Sequence, residues 1–504
     1  MTYFMGIDNG GTLSKAVVFD AEGVEIASAS RRIPLVKNEG GFCERDMEAL
    51  WQANCAMIRE ALSASGVDPK DIRGAACTGH GKGLYLWGKD GRPAYNGIVS
   101  TDARAWRIID RWKADGTADR AFEKTQQRLL ACQGPALLRW LKEEDPGLLD
   151  RVQWIFEAKD YIRFRLTGEA WAEVTDYSGS SLMNIRDKRF DRELLELYGL
   201  GEAFDKLPPL KNSTDSCGTV SAEASLATGL AQGTPLAGGM FDIDACAIAM
   251  DVLDGEKLCV IAGTWSINEY ISKEPILDGS IMMNSLFCVP GWYLIEECSP
   301  TSAGNNEWFA GTFLELEKNL ADERGLSVYD LENEIAGSIG PGDQDILFLP
   351  YLYGSNYDPL AKACFIGLEP SHTKSNLIRA VYEGIVFCHM VHAEKLLAHR
   401  ESTEVVRLAG GAAKSKVWAQ IFADIFKLPV ETVDTQELGT LGCAMAAAVA
   451  SGYYKDLKEA AANMVKIKGR IEPDPKTYAA YDRKYALYRK ASAALEGIWR
   501  EFQK

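Results

Sequence analysis

Tyr3-Phe4-Met5-Gly6-Ile7-Asp8-Asn9-Gly10-Gly11-Thr12-Leu13-Ser14-Lys15-Ala16-Val17-Val18-Phe19-Asp20 sets two apolar runs on either side of a glycine turn. The first run reads as a buried strand over 3–8 ending on Asp8, the second as a strand over 16–20, with a further turn at Ala21-Glu22-Gly23. Strand–turn–strand order excludes a Walker loop and a dinucleotide fingerprint, since both need a helix after the glycines. A hairpin tip instead gathers backbone N–H groups, the Thr12 hydroxyl and the Lys15 ammonium at one point, a concave donor set suited to phosphate oxygens. Asp8 could hold a Mg²⁺ ion directly or through water. An ordinary glycine hairpin with a surface lysine explains the same residues, so other stretches must decide.

Working outward, the pattern returns. The run 257–262 ends in Gly263-Thr264-Trp265-Ser266 before a second strand over 267–272. The run 405–409 ends in Gly410-Gly411-Ala412-Ala413, with Lys414-Ser415 opening a helix, a common setting for a nucleotide. The likeness is too short for a sequence repeat, yet it is what two copies of one phosphate-binding core would leave. Between them, Gly238-Gly239-Met240-Phe241-Asp242-Ile243-Asp244 runs into a helix of small apolar residues. The glycines let the backbone approach a ligand closely, and Asp242 at the turn suits a general base. Asp242 or Asp244 could equally cap the helix.

Bulk properties narrow the class. At 504 residues, two large domains are the default. Hydrophobic residues at 47% and charged residues at 25% are those of a globular protein. A net charge of −16 argues against a nucleic-acid or anionic-membrane surface. The twelve cysteines are scattered without a CxxC pair, as expected of free thiols in a reducing cytoplasm rather than a zinc site or disulfide framework. The N-terminus reads as a strand and not a signal peptide, and no apolar run reaches the ~18 residues needed to span a bilayer.

The remaining elements follow from periodicity. A helix capped by Asp46 is expected over 46–65, then a strand over 72–78 and the loop Gly79-His80-Gly81-Lys82-Gly83, placed for ligand contact at a strand's C-terminal end. A flexible, solvated loop is the competing reading. Asp102, in Ser100-Thr101-Asp102-Ala103-Arg104, is either an N-cap or, with Arg104, a contact for sugar hydroxyls. Helices are expected over 118–132, 135–144 and 159–167, a polar loop over 173–185, and an amphipathic helix over 374–399. His389 and His392 on that helix read as core or interface residues, since no third metal ligand is apparent. The last ~50 residues read as helical and charged.

At this point the chain resembles the FGGY carbohydrate kinases, from Gly6 to about Gly452. Ala363-Cys364-Phe365-Ile366-Gly367-Leu368, followed after seven residues by Asn376-Leu377-Ile378-Arg379-Ala380-Val381-Tyr382-Glu383, is similar to the family's C-terminal signature. Lys159-Asp160-Tyr161-Ile162-Arg163-Phe164-Arg165-Leu166-Thr167-Gly168 and 409–412 resemble further hallmarks. In Pro135-Ala136-Leu137-Leu138-Arg139-Trp140-Leu141, Leu138 stands where a lysine is usual. Gly11 and Leu13 stand where hydroxyl residues are common, leaving Thr12 and Ser14 for the first phosphate loop.

The resemblance implies an α/β fold of two ribonuclease-H-like domains, of the actin/hexokinase ATPase type, with an interdomain cleft. Residues 1–247 would bind the sugar and carry the base; residues 248–504 would bind ATP and end in helices. It assigns Asp242 as catalytic base and Asp8 as the metal-linked carboxylate. His80, Lys82, Asp102 and Arg104, with Asp242, become substrate contacts. Thr12, Lys15, Gly263, Thr264, Gly304, Gly411 and Ser415 become nucleotide contacts, with ATP and Mg²⁺ as cofactors. Asp244 would then cap the helix, and Asp242 would need geometry rather than an unusual pKa.

Gly81-Lys82-Gly83-Leu84-Tyr85-Leu86, Ser299-Pro300-Thr301-Ser302-Ala303-Gly304-Asn305 and Pro350-Tyr351-Leu352-Tyr353-Gly354-Ser355-Asn356 are most similar to the L-xylulose/3-keto-L-gulonate branch. D-xylulose, ribulose, erythritol and glycerol are the alternative acceptors, and a non-catalytic nucleotide sensor the alternative class. The expected setting is cytoplasmic, with a small sugar as partner, no nucleic acid, no membrane, and room for a homodimer.

Overall fold

The computed structural model describes residues 1–36, 42–355 and 360–502; Asn356, in the last stretch quoted above, lies outside the described residues. The chain divides into two units, each discontinuous in sequence. The first comprises Met1–Leu253, Ile271–Leu294 and Glu437–Val465, and the second Asp254–Tyr270, Ile295–Gln436 and Lys466–Lys504. This differs from one cut between 247 and 248, chiefly because a late helix, Leu438–Ala450, joins the first unit.

In the first unit the sheet runs Ser216–Thr219, Pro235–Ala237, Ile72–Gly79, Tyr3–Asn9, Leu13–Asp20, Glu25–Arg32, with Met240–Phe241 also paired to Ile72–Gly79. Tyr3–Asn9 and Leu13–Asp20 are antiparallel, as a hairpin must be, whereas Tyr3–Asn9 and Ile72–Gly79 are parallel and so need a crossover. The helix Met47–Ser65 supplies it. Asp46 caps its start by accepting the Ala49 N–H at 2.8 Å, and its inner face buries Leu50, Trp51, Cys55 and Ile58 in the core with Met5, Ile7 and Val18.

The helix Leu438–Ala450 is built almost wholly of small and apolar residues, so it can be buried on every side. It comes so close to the first strand that a Cβ on Gly6 would lie 1.9 Å from the Thr440 carbonyl oxygen. Only glycine permits that approach.

In the second unit the strand order is Tyr293–Ser299, Ser266–Ser272, Lys257–Ala262, Val405–Gly410, Val430–Val433, Ile467–Ile471. Lys257–Ala262 pairs antiparallel with its hairpin partner and parallel with Val405–Gly410. The first unit has the same arrangement of hairpin plus parallel third strand. The echo that was too short to count as a repeat in sequence is therefore a repeat in topology.

Several expected elements change. The helix expected over 118–132 ends at Thr125, because Gln126 adopts φ 51°, outside the helical region. The polar loop expected over 173–185 contains the buried helix Val174–Gly179, capped by Glu173; Thr175 donates to Glu173, Ser178 to the Thr175 carbonyl oxygen, and Asp176 faces Lys159. The helix Lys374–Leu397 is buried around most of its circumference, so it is a central helix and not an amphipathic surface one. The chain's last segment includes a strand, Ile467–Ile471, besides its helices.

Candidate active site

Three strand ends meet in the first unit. Asp8 stands opposite Thr78 on one side of the strand Ile72–Gly79, and Met240 stands opposite Thr78 on the other. Asp8 and Met240 are therefore two strand spacings or roughly 10 Å apart, and Asp242, two residues after Met240, comes beside the start of the loop Gly79–Gly83. Asp242 is the first residue of the helix Asp242–Ala249. The glycines before it serve the protein's own packing: a Cβ on Gly239, whose φ is +72°, would lie 1.9 Å from the Cys77 carbonyl oxygen, and one on Gly238 would lie 2.3 Å from that of Asn212. The close approach read from sequence is thus to neighbouring backbone.

Asp244 does not cap this helix. It is buried and accepts the Cys288 backbone N–H at 3.0 Å.

Asp242 keeps partial exposure, but desolvation pushes its carboxyl well above the ordinary carboxylate range. The charges of Asp8 and Asp176 push the same way, while Lys82 and the Ile243 N–H oppose them. An unusual acidity at Asp242, not asked for by the sequence reading, is therefore built in. Lys82 holds φ +64° between two glycines, and its ammonium lies 5.9 Å from the centroid of the Phe241 ring, the residue before Asp242.

Asp8 is pushed up to about 6, first by desolvation, with Lys15 opposing and Glu437 adding to the rise. Its Oδ1 is buried without a hydrogen-bond partner. Among the described residues no group of three or more His, Cys, Asp or Glu could hold a metal. A lone, unsatisfied carboxylate nevertheless fits Mg²⁺, which keeps waters and takes phosphate oxygens in place of a full protein cage.

The Lys15 ammonium lies 2.8 Å from both carboxylate oxygens of Glu437, just ahead of the helix Leu438–Ala450. Thr12 is exposed at the hairpin tip, but Ser14 is fully buried and cannot serve a ligand there. The tip is held from behind by Arg45, whose guanidinium donates to the carbonyls of Gly10 at 3.3 Å and Gly11 at 2.6 Å.

His80 is buried, with Nε2 2.9 Å from the Tyr85 hydroxyl; desolvation, then Arg45, lowers its pKa to about 4, so the ring is neutral. Asp102 is not a helix cap. It accepts two bonds from the Arg104 guanidinium, at 2.9 and 2.8 Å, the Arg104 backbone N–H at 2.8 Å and the Cys43 N–H at 2.7 Å, while the next helix starts at Trp106. Arg104 also reaches Glu44 at 2.7 Å and lies against Phe42 and Trp140, and neither the Asp102 nor the Arg104 side chain is exposed. Both side chains spend their polar atoms on protein partners.

A fully buried ionic cluster supports the segment that precedes Asp242. Lys159 Nζ is 3.0 Å from Asp160, 3.4 Å from Glu173 and 3.5 Å from Asp176. Glu173 accepts the Thr175 hydroxyl, and that hydroxyl in turn accepts the Phe241 N–H at 2.9 Å, fixing the backbone just before Asp242. Arg45, Glu437, Glu173 and Asp176 were not singled out from sequence. Arg45 directly precedes the cap Asp46, and Glu437 precedes the apolar helix, but neither position signals its distant partner.

The second unit holds a cavity of about 520 Å³. Gly263, Thr264, Gly304, Gly411 and Ser415, taken from three separate stretches of sequence, all line it. Ser415 caps the helix Lys416–Phe426 by accepting the Trp418 N–H at 3.0 Å. Tyr382 stacks on Trp418 at 4.4 Å and 9°, giving the cavity a flat wall, and its hydroxyl donates to Asn333 Oδ1 at 3.0 Å. Glu332 lies beside it, fully buried, and accepts from Asn306 at 3.0 Å; burial pushes its carboxyl up to about 7.

Among the described residues no helix is long and apolar enough to cross a membrane. The sequence matches the N-terminal domain of the FGGY family of carbohydrate kinases over residues 3–249 and the C-terminal domain over 258–451. It is 34% identical to a probable L-xylulose kinase of Pasteurella multocida, covering 99% of this chain and 100% of that one. It is also 34% identical to the L-xylulose/3-keto-L-gulonate kinase of Escherichia coli, covering 98% of each. Among solved structures, a gluconate kinase and a ligand-bound xylulose kinase, both of Lactobacillus acidophilus, superpose with TM-scores of 0.90 and 0.89 at 26% identity, each covering 100% of both chains. A sheet with converging carboxylates, a glycine-lined cavity and end-to-end similarity lead to one conclusion: the chain belongs to the FGGY family of carbohydrate kinases, enzymes that phosphorylate small sugars with ATP.

Proposed function

We propose that this kinase transfers the γ-phosphoryl group of ATP, bound with Mg²⁺, to a hydroxyl of L-xylulose or the related sugar acid 3-keto-L-gulonate, in the cytoplasm where ATP is available. The observation that carries the reading is the meeting of Asp8, the His80 loop and Asp242 at adjacent strand ends, in a chain 34% identical end to end to an L-xylulose/3-keto-L-gulonate kinase. Phosphoryl transfer asks the protein mainly to position groups and neutralise charge.

Asp242 takes the proton from the attacking hydroxyl oxygen as that oxygen bonds to the γ-phosphorus and the bond from that phosphorus to the β,γ-bridging oxygen breaks, ADP leaving with the electron pair. The pressures that raise its carboxyl favour holding this proton, and the charge of Lys82 opposes them in part. Asp8 would hold the metal, directly or through water; bound Mg²⁺ would supply charge neutralisation at the phosphate oxygens. The hairpin N–H groups and the Thr12 hydroxyl bind phosphate, and Lys15 adds its charge on leaving Glu437.

In the second unit, the Tyr382–Trp418 wall suits a purine face, and the glycines of the cavity let phosphates approach the backbone. Neutral His80 contacts a sugar hydroxyl on releasing the Tyr85 hydroxyl from Nε2. Asp102 and Arg104 shape that site from inside, their own polar atoms being engaged.

Another ketose, a polyol or an aldonic acid remains the competing acceptor, since a few contacts can change the substrate of one pocket. The test is ATP consumption on a panel of L-xylulose, 3-keto-L-gulonate, D-xylulose, ribulose, erythritol, glycerol and gluconate. The proposal expects the first two to give the highest kcat/KM; a higher value for any other member rejects it.

A further inference from the structure

We infer that His389 is a positioning residue for the nucleotide cavity of the second unit, an inference that rests on reading that cavity as the ATP site. His389 lies on the helix Lys374–Leu397 and is fully buried, as are Ser266, Asn268 and Ser302 around it. Its Nδ1 is 2.9 Å from Asn268 Oδ1 and 3.0 Å from Ser266 Oγ, and its Nε2 is 2.8 Å from Ser302 Oγ.

The tautomer follows from the neighbours. Asn268 Nδ2 donates to the Glu297 carbonyl oxygen at 3.3 Å and to Ser266 Oγ at 3.1 Å, which turns the amide oxygen toward the imidazole. An amide oxygen only accepts, so Nδ1 carries the hydrogen and Nε2 accepts the Ser302 hydroxyl. Burial lowers the imidazole pKa to about 3, so the ring stays neutral and the pattern holds through the working pH range.

Both bonded serines sit at the ends of cavity walls. Ser266 closes the turn begun by Gly263 and Thr264, and Ser302 directly precedes Ala303 and Gly304; all four of these neighbours line the cavity. One rigid ring on a central helix therefore ties together two loops from separate parts of the chain. His392, one turn further on, bonds Glu297 at 3.2 Å.

The test compares His389→Phe, His389→Gln and Ser302→Ala with the wild-type enzyme. KM is measured for ATP and for the sugar, and ADP binding is followed by calorimetry. His389→Phe keeps a flat ring but loses the bonds, and should raise KM for ATP about tenfold while KM for the sugar stays within about twofold. His389→Gln restores an amide donor and acceptor and should recover part of that loss. Ser302→Ala removes one bond at the edge of the network and should shift KM for ATP the same way by about threefold, which decides the matter should the Phe variant not fold. Equal rises in both KM values, or no change in KM for ATP in Ser302→Ala, would overturn the inference. Failure of the wild-type enzyme to bind ADP would instead overturn the reading of the cavity.

Discussion

Gly239→Ala perturbs the carboxylate of Asp242, the proposed base, without touching it. Gly239 has φ +72°, where a Cβ costs about 1 kcal/mol by local sterics alone. The larger effect is contact, since the new Cβ would sit 1.9 Å from the Cys77 carbonyl oxygen, backbone of the strand against which Met240–Phe241 is paired. Reaching even a tight non-bonded distance requires that segment to move by about 1 Å. Asp242 follows Phe241 directly, so the shift passes to its carboxylate, and a 1 Å misplacement costs about 10²-fold in rate.

The assay is kcat with saturating ATP and sugar, beside a thermal unfolding curve. Gly66→Ala is the control: Gly66 has φ +64° at the end of the helix Met47–Ser65 and nothing within 4 Å of its would-be Cβ. It should lose about 1 kcal/mol of stability and keep its kcat. A Gly239→Ala enzyme with kcat within about threefold of wild type would refute the reasoning, for it would mean that the turn does not set the position of Asp242.

Three further outcomes are expected. Glu332, an acid raised to about 7 in the folded state against 4.5 when free, contributes stability below pH 4.5 that is lost as pH rises through 7; Glu332→Gln should therefore gain up to about 3 kcal/mol relative to wild type between pH 4.5 and pH 8, read from urea midpoints, and a pH-independent difference would refute this. Lys82→Met should lower kcat/KM about tenfold more for sugar acids than for neutral ketoses if Lys82 meets a substrate carboxylate, whereas equal losses would confine it to supporting Asp242. Arg45→Lys keeps the charge but loses the two-pronged grip on Gly10 and Gly11, so kcat/KM for ATP should fall about tenfold, and an unchanged value would show that the hairpin tip holds itself.

The parts of the site that were legible in sequence are those written in local grammar. A strand ending on Asp8, two glycine-bearing strand ends and a double glycine before Asp242 each occupy fewer than ten residues, and each leaves a pattern that turn chemistry explains. Five of the seven residues expected at the nucleotide line one cavity of the second unit, while Thr12 and Lys15 belong to the hairpin of the first. What escaped was long-range pairing. Lys15 looked free for phosphate, but its partner Glu437 is 422 residues away. The apolar helix after Glu437 could have packed on either sheet, and nothing in its composition says that it closes against Gly6.

Polarity misled in 173–185, where buried Glu173, Thr175 and Asp176 hydrogen-bond or ion-pair within the protein, so the stretch reads as solvent-facing though it is not. Asp102 and Arg104 were found as residues, but their engagement with each other and with Glu44 is a property of the folded site. The same holds for the acidity of Asp242, which arises from burial and from carboxylates at positions 8 and 176 that only folding brings together.

The central claim is that Asp242 is the base. Its most direct test is the steady-state turnover of Asp242→Asn on L-xylulose with ATP and Mg²⁺, alongside the variant's melting curve and ADP affinity. A fall in kcat of at least about 10²-fold, with fold and nucleotide binding intact, is the predicted result. Near-normal turnover would contradict the account.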